Sequence, residues 1–413
     1  MFRIVTVVVL TFLAAASPGL GQSITWIPAF TLTDLSSDGH VAVGLTQFSL
    51  DAARWTAAGG LENIGGSSAH LGVGAGEPKT DADGSHICAT IAAADSSAIT
   101  QGLWTRADSW QELPLPEGSI QVDLNLASAW NISSDGSTVV GLFWLPPARA
   151  HASTWNEAGG PVDLGSQGHD SRANAVSGDG SVVAGWSAYP TTGAWQPTVW
   201  EGGVMTVLSR TPGTGECAYV NPAGDMIAGQ MLDADSDRSV AALYFRDEAD
   251  STGWAGTPLG FLPGTGAIDG RSMALDAAVD GSIVIGLNFF SSFSAVDFIW
   301  TPTFGIMRTT EFFDQVGVTL PTTFRVQRVK AVSDDGRYIA GYGYDLYTPQ
   351  VTESFIVDLG GVAPVPSTPA TGGLTLEPNF PNPFNPSTTI AFELARADDV
   401  VVAIHDTRGR RVR

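Results

Sequence analysis

Short apolar segments alternate with polar turns along most of the chain, and one arrangement recurs. A small or apolar segment leads into Ser-x-Asp-Gly, and a second apolar segment follows. The clearest copies are Ala175–Gly185 and Ile132–Gly141. Asp-Gly between two apolar segments predicts a tight β-hairpin, because glycine tolerates the left-handed conformation that a bulged type I turn requires.

Turns of this kind recur seven times in a similar context, four of them as Ser-x-Asp-Gly and three in degenerate form. The turn glycines are Gly39, Gly84, Gly136, Gly180, Gly224, Gly281 and Gly336. In six copies another glycine follows five residues later, whereas the second copy has Ala89. An aromatic residue follows each turn by roughly 16 to 20 residues, at Trp55, Trp104, Trp155, Trp200, Tyr244, Trp300 and Phe355. We predict four short strands per repeat, with the aromatic residue packed between neighbouring sheets.

A four-stranded repeat of this length is typical of one β-propeller blade, and blades must stack in a ring to bury both faces. We therefore predict an all-β fold over residues 22–360, a propeller of about seven four-stranded antiparallel blades with almost no helix. Turn spacings of 57 and 55 residues leave six or eight blades open. The seventh repeat has only three apolar segments, so Ile24–Ile27 is predicted to complete its blade.

The third repeat and the hairpin that opens the fourth carry a more specific pattern. Ala150–Trp155, Gly160–Gly165 and Asn174–Gly185 together resemble the bacterial extracellular HAF repeat, which has a His-Ala-Phe-x-Trp strand and an Asp-Leu-Gly strand before its hairpin. Ser153 stands where that family has Phe, and the other copies lack the His. The resemblance covers residues 30–360 and implies a propeller-like architecture without indicating an activity.

The amino terminus has the features of a secretory signal peptide over residues 1–21. Arg3 precedes the apolar run Ile4–Ala16, and small residues precede a cleavage point before Gln22. The run is too short to span a membrane. We therefore expect a secreted or cell-surface protein that does not cross a membrane.

The carboxyl-terminal region is predicted to be a separate module. Residues 361–373 form a linker rich in Pro, Thr and Gly, and residues 374–413 follow. A distinctive motif lies there, formed by Pro381, Asn382, Pro383, Phe384, Asn385 and Pro386. It resembles the start of the Ig-like sorting domain of type IX (Por) secretion cargo, a module similar to the Ig-like domain of flagellar hook-capping proteins. The resemblance implies the secretion machinery as a partner. That module normally continues through more strands, so we expect an incomplete copy.

The charge narrows the range of partners. A net charge of −22 makes nucleic acid and anionic membranes poor partners, because a strongly acidic surface repels phosphates. We expect a monomer. Cys88 and Cys217 fall in repeats on nearly opposite sides of a seven-bladed ring, so they are predicted to be free thiols.

No metal, cofactor or catalytic residue is predicted. Asp81–Gly84 and Asp233–Asp237 could suggest calcium loops. The second has Arg238 where an EF-hand needs Gly and Tyr244 where it needs Glu, and solvated hairpin tips are favoured for both. The six histidines lack zinc spacing, and no nucleophile motif occurs. A pair of carboxylates for glycoside cleavage stays open, although no spacing selects one.

Three polar residues occupy the predicted innermost strands, five residues before a turn glycine. They are Asp34, Asn131 and Asp276. They could line a central channel, and a hydrogen-bonded structural role is favoured over a functional one.

Binding residues are expected on one face, where the longer loops collect on a rigid scaffold. The candidates are Trp144, Trp186, Tyr189, Phe290, Tyr344, Asp233 and Asp235. Aromatic rings beside acidic groups suit stacking on sugars, so we interpret the chain as a non-catalytic propeller that binds a polysaccharide or peptide. Two alternatives stay open: a propeller-based polysaccharide lyase or glycosidase, and a purely structural surface protein. Charged groups converging at the channel mouth would favour the enzyme, and an open aromatic rim without them would favour the binder.

Overall fold

The structure, a computed structural model, divides the chain into two compact units. It describes residues 6–8, 22–66, 75–95, 97–209, 211–234, 236–262, 271–291, 294–360, 374–376, 387–389 and 392–394. The smaller unit joins Met1–Gly19 to Val365–Arg413. It contains two antiparallel pairs, β1 (Thr6–Val8) with β31 (Ser387–Thr389), and β30 (Leu374–Leu376) with β32 (Phe392–Leu394). The predicted sorting motif, Pro381–Pro386, lies outside the described residues.

The larger unit, Leu20–Pro364, is a ring of seven four-stranded antiparallel sheets, which confirms the predicted propeller. Its strands are β2 (Ser23–Pro28), β3 (Phe30–Leu35), β4 (Val41–Thr46), β5 (Ala52–Thr56), β6 (Gly60–Gly65), β7 (Lys79–Thr80), β8 (His86–Ala92), β9 (Ile99–Thr105), β10 (Ser109–Glu112), β11 (Ala127–Ile132), β12 (Thr138–Leu145), β13 (Arg149–Asn156), β14 (Gly160–Gly165), β15 (Ser171–Val176), β16 (Val182–Ala188), β17 (Trp195–Glu201), β18 (Val204–Val207), β19 (Cys217–Val220), β20 (Met226–Asp233), β21 (Arg238–Arg246), β22 (Trp254–Gly260), β23 (Arg271–Ala277), β24 (Val284–Ser291), β25 (Ser294–Thr301), β26 (Gly305–Arg308), β27 (Phe324–Val332), β28 (Tyr338–Asp345) and β29 (Glu353–Asp358). Blades 1 to 6 each use four consecutive strands from β3 to β26, and blade 7 uses β27, β28, β29 and β2.

The amino-terminal strand closes the ring, as predicted. β2 pairs with β29 in antiparallel register, from Ser23 opposite Asp358 to Pro28 opposite Glu353. The Trp26 ring lies 4.7 Å from the ring of Phe324, on the first strand of the same blade. Blade 7 is therefore assembled from both ends of the propeller sequence.

Apolar side chains fill the gap between each pair of adjacent blades, forming seven separate clusters among the described residues. Each recurring aromatic residue lies in a different cluster, between its own blade and the preceding one. Trp200 and Tyr244, for example, are both 3% exposed. The predicted packing role of these residues is confirmed. The stability of the ring therefore depends on contacts between blades rather than on one central core.

The Ser-x-Asp-Gly signal has a specific structural reason, which the turn of blade 4 illustrates. The Ser177 hydroxyl accepts the Val182 amide at 2.9 Å and donates to the Asp179 carboxylate at 2.8 Å. Asp179 also accepts the Ser181 hydroxyl and amide, and these bonds lower its pKa to about 2. Gly180 adopts φ of 76°, in the left-handed region. The other predicted turn glycines have similar positive φ angles, at Gly39, Gly84, Gly136, Gly224, Gly281 and Gly336.

The glycine that follows each turn by five residues also has a steric reason. In blade 4, Ala173 lies opposite Gly185 and Ala175 lies opposite Ala184, so the innermost strand bulges by one residue. A Cβ on Gly185 would lie 2.0 Å from the Arg172 carbonyl oxygen. The same shift occurs in every blade except blade 2, whose β7 pairs through two residues only and which has Ala89 at this position.

The long turn spacings do not add a blade. The spacing before the last turn contains a helix, α1 (Thr309–Val316), which the sequence analysis did not predict. Two residues of this helix, Phe312 and Phe313, pack in the gap between blades 6 and 7. The helix ends at Gly317, which adopts φ of 85°. Of the helices in the described part of the chain, none is long and apolar enough to cross a membrane.

The two cysteines lie in separate blades, Cys88 in β8 of blade 2 and Cys217 in β19 of blade 5. Both are free and buried. Burial raises the pKa of each thiol, which disfavours the reactive thiolate. Their role is therefore packing between blades.

Candidate functional site

The two faces of the ring differ in loop length. One face, which we call the long-loop face, carries the junctions between blades and the loops between second and third strands. Its junctions include residues 113–126 and 309–323. The opposite face carries the five-residue Ser-x-Asp-Gly turns and short turns such as 57–59 and 157–159. The extra length on this face lies in some of its junctions, because loops between second and third strands such as 47–51 and 146–148 are no longer than the hairpin turns of the opposite face.

Blade 4 presents an exposed aromatic surface on the long-loop face. Trp186 near the end of β16 and Trp195 at the start of β17 stack with 4.3 Å between ring centroids and 10° between ring planes. Trp186 is 5% exposed and so supports its neighbour, whereas Trp195 is 41% exposed. Tyr189, in the loop between them, is 36% exposed. We call Trp186, Tyr189 and Trp195 the blade 4 platform.

An arginine on the innermost strand braces this platform. The Arg172 guanidinium carbon lies 3.7 Å from the centre of the Trp130 ring and 5.4 Å from that of Trp186, which favours cation–π attraction. Its Nη2 donates to the Glu216 carboxylate at 2.6 Å, and its Nε donates to Asn174 at 2.6 Å. Arg172 therefore connects blades 3, 4 and 5 and holds Trp186 beneath the exposed ring.

The other predicted binding residues lie on separate blades. Trp144 and Phe290 are half-buried near the ends of the second strands of blades 3 and 6. Asp233 accepts the Ser236 amide and hydroxyl, so it closes the loop between the second and third strands of blade 5. Asp235 lies outside the described residues. The structure thus brings together only Trp186 and Tyr189 from the predicted set.

The predicted Tyr344 lies in a second feature of this face, an open cleft on blade 7 with a volume of ≈ 500 Å³. Arg325 and Arg328 of β27 line it together with Tyr342 and Tyr344 of β28. Val326 and Gln327 complete the lining. We call this the blade 7 cleft, and it combines aromatic rings with hydrogen-bond donors.

Several residues of these two surfaces escaped the sequence analysis, although signals for them existed. Trp195 follows the loop that begins with the predicted Tyr189, so an aromatic residue stands at each end of that loop. Arg325 falls in a segment with three of the 20 basic residues of the chain within six positions. The pairing of Arg172 with Glu216 across 44 residues had no local signal.

The central channel is polar and narrow. Asp34 accepts the Thr80 amide at 3.0 Å and lies 3.4 Å from the Lys79 ammonium, which links blade 1 to blade 2. Asp276 accepts the Val332 amide at 2.8 Å and so links blade 6 to blade 7. The channel holds ≈ 90 Å³, well below the roughly 300–1,000 Å³ of most ligand pockets. These aspartates therefore have structural partners, as favoured from the sequence, and Asn131 also lines the channel.

Asp276 is electrostatically unusual. Burial raises its pKa to about 7, Lys79 opposes that rise, and Asp34 adds to it. The Tyr219 hydroxyl also lines the channel, and within the described residues it has no hydrogen-bond partner. Perturbed carboxyls of this kind occur both at catalytic sites and in structural networks. Charged groups in the channel would favour an enzyme, and exposed aromatic residues without such groups would favour a binding protein. Both features are present, so they do not distinguish the two functions.

The suspected calcium turn of blade 2 is saturated with hydrogen bonds. Asp81 accepts the Ser85 amide at 2.9 Å and contacts the His86 ring at 2.7 Å, and Asp83 also accepts the Ser85 amide. Across the described ranges, no group of three or more His, Cys, Asp or Glu side chains is arranged to hold a metal ion. These turn carboxylates therefore act as caps for the hairpin.

Comparison with known proteins assigns no family to the chain. No family model matches the sequence, and no curated protein matches it. Solved structures similar to it include an oligogalacturonate lyase from Vibrio parahaemolyticus, 9% identical, with 88% of this chain and 98% of that chain covered and a TM-score of 0.46. The Cps50 (Swd1) propeller domain of Myceliophteria thermophila is 8% identical, with 80% and 99% covered and a TM-score of 0.49. TolB from Acinetobacter baumannii is 14% identical, with 60% of this chain and 56% of that chain covered and a TM-score of 0.39. This chain therefore covers less than two thirds of the length of that TolB. The chain is a seven-bladed β-propeller, and these likenesses carry no functional argument.

Proposed function

We propose that this protein is a non-catalytic propeller that binds an extracellular polymer, a polysaccharide or a peptide, on its long-loop face. The observation that carries the proposal is the blade 4 platform. One face of Trp195 is covered by Trp186, so its exposed surface belongs to the opposite face and the edges. A fixed, open indole beside Tyr189 suits the apolar face of a sugar ring or a peptide side chain, because little conformational entropy is lost on binding.

The experiment compares polymer binding by wild-type protein and single variants, measured by affinity electrophoresis against a panel of soluble polysaccharides and peptides. Trp195→Ala and Tyr189→Ala should each weaken binding by about tenfold, as expected for a central aromatic contact. The matched control is Tyr347→Ala, since Tyr347 is 83% exposed on the same face and has no stacked ring among the described residues. Unchanged binding by both platform variants would remove the proposal.

A second candidate, a polysaccharide-degrading enzyme, is favoured by Asp276, because a carboxyl with a pKa of about 7 can donate or accept a proton near neutral pH. Against it, both Asp276 oxygens accept backbone amides, from Ala277 and Val332, and the channel is narrow. A reducing-end and unsaturated-product assay on any polymer that binds decides between the two. Product formation that Asp276→Asn abolishes would establish the enzyme.

We also propose that the protein is exported and that its carboxyl-terminal module directs sorting. The support is the sequence alone: the apolar run Ile4–Ala16 and the motif Pro381–Pro386, followed by Ser-Thr-Thr-Ile. An extracellular location is compatible with a polymer-binding face and with a strongly acidic, soluble surface. The partner implied is the secretion machinery.

A further inference from the structure

The first strand of blade 7 is strongly basic in an acidic protein. β27 carries Arg325, Arg328 and Lys330 and no acidic residue, whereas the whole chain has a net charge of −22. The sign of the charge on β27 is therefore opposite to that of the chain as a whole. Two of the three cations line the blade 7 cleft.

A β-bulge places these two arginines on the same side. Residues three apart on a regular strand point to opposite faces. Here the register shifts between Val326 and Arg328, so that Arg325 pairs with Tyr344 and Arg328 pairs with Tyr342. Directly paired residues share one face of an antiparallel sheet, and the two tyrosines are two positions apart. The four side chains therefore form a two-by-two array of arginine and tyrosine on one face.

The three cations differ in how far their charge is neutralised. Lys330 pairs with Glu77, and Arg328 lies 3.4 Å from Asp297. Arg325 is exposed, and its Nη1 donates only to backbone carbonyls, those of Thr322 at 2.8 Å and Phe324 at 3.0 Å. Within the part of the chain that the structure describes, its guanidinium has no carboxylate partner. Arg325 thus presents an uncompensated positive charge at the cleft.

We propose that the blade 7 cleft binds the carboxylate of a uronic acid residue in an acidic polysaccharide. A guanidinium presents paired N–H donors that match the two oxygens of a carboxylate. The rings and hydroxyls of Tyr342 and Tyr344 supply a face and donors for a pyranose, and ≈ 500 Å³ is within the range of ligand pockets. Repulsion from the acidic remainder of the protein is screened beyond about 8 Å at physiological salt. The inference rests on the proposed function and adds the ligand class.

The test is isothermal titration calorimetry with oligogalacturonate, its full methyl ester and oligoguluronate. The ester keeps the sugar ring and removes the charge. Wild-type protein should bind both acidic oligomers and lose about tenfold or more in affinity for the ester, since a charge-assisted bidentate pair is absent there. Arg325→Gln should reduce affinity for the acids by a similar factor and leave affinity for the ester unchanged. Because Arg325 is exposed, this variant keeps the fold, which circular dichroism checks.

Arg106→Gln is the matched control, because it makes the same charge change at an exposed ion pair with Glu62 on the opposite face. It should alter affinity less than twofold. Three results would overturn the inference. The first is equal affinity for the acid and the ester, and the second is an equal loss of affinity in the Arg325→Gln and Arg106→Gln variants. The third is no binding of either polyuronate, whether or not an acidic peptide binds instead. If Trp195→Ala abolishes polymer binding while Arg325→Gln does not, the proposed function survives and this inference fails.

Discussion

At the scale of single residues, Asp276 combines a structural role with an unusual protonation state. Its two oxygens accept the amides of Ala277 and Val332, so the side chain ties one blade to the next. Its burial raises the pKa to about 7 against an ordinary value of 3.8. The hydrogen bonds favour the charged form, and burial outweighs them. The closure of the ring between blades 6 and 7 is therefore linked to pH.

The sign of that linkage is testable. A carboxyl whose folded pKa lies above its unfolded pKa contributes most to stability below the unfolded value, and the contribution falls as pH rises toward the folded value. The side chain at this position cannot titrate in the Asp276→Asn variant. We therefore compare the free energy of unfolding of wild type with that of the variant. The difference, wild type minus variant, should fall as the pH rises from 4 to 7. The slope should be on the order of 1 kcal/mol per pH unit, and the difference should be constant above pH 8. Urea titrations at four pH values measure it.

An exposed aspartate supplies the control with opposite sign. Hydrogen bonds from the Thr252 amide and hydroxyl hold the pKa of Asp250 below its usual value. The same difference for Asp250→Asn should therefore rise rather than fall as pH increases through the acidic range. A pH-independent difference for Asp276→Asn would show that Asp276 titrates normally.

At the scale of elements, the inner hairpin of each blade depends on a bulge and the glycine opposite it. Gly185→Ala would place a methyl group 2.0 Å from the Arg172 carbonyl oxygen, so one strand must move. We expect a loss of about 1–3 kcal/mol in the free energy of unfolding, as for other overpacked sites. Chemical denaturation followed by tryptophan fluorescence measures it.

Blade 2 offers the matched control, because Ala89 already occupies the equivalent position there. Ala89→Gly should cost no more than about 1 kcal/mol, the usual effect of glycine in a strand. Similar effects of the two substitutions would mean that the close approach at Gly185 does not constrain the hairpin.

The same elements show how much of the structure could be predicted. The turn glycine, the second glycine and the recurring aromatic residue are local signals, and they were sufficient for the strand count, the packing between blades and the closure by Ile24–Ile27. The bulge at Gln327 has no residue signature, and it reverses which side of β27 Arg328 and Val329 face, until a second bulge at Lys330 restores the original alternation. The blade 7 cleft could not be predicted for that reason. The stacking of Trp186 on Trp195 could not be predicted either, because it depends on the conformation of the loop between them. The helix α1 was not predicted because the long interval between the last two turns carries no clear helix signal.

At the scale of the whole molecule, the described ring uses residues from β2 through β29 and needs nothing from residues 374–413 for its pairing. We therefore predict that removing residues 374–413 leaves the thermal unfolding of the propeller unchanged within error and prevents delivery to the surface or medium. Fractionation of producing cells, with calorimetry of the purified protein, measures both. Asn382→Ala together with Phe384→Ala is the finer test, because it keeps the length and alters only the motif. Normal export of the shortened chain would show that this region is not a sorting signal.

The closure of the ring by β2 also sets its response to mechanical load. The first residue of β2, Ser23, pairs with the last residue of β29, Asp358, so both strands leave the sheet at the same end of the ladder. A pull applied between residues 22 and 359 would therefore load one pair of hydrogen bonds at a time and peel the strands apart like a zipper, at low force. A tether attached at one of these two positions alone transmits no tension across that seam. A protein held to a surface by a single terminal module, with its binding face elsewhere on the ring, would therefore bear drag without stressing the joint that closes it.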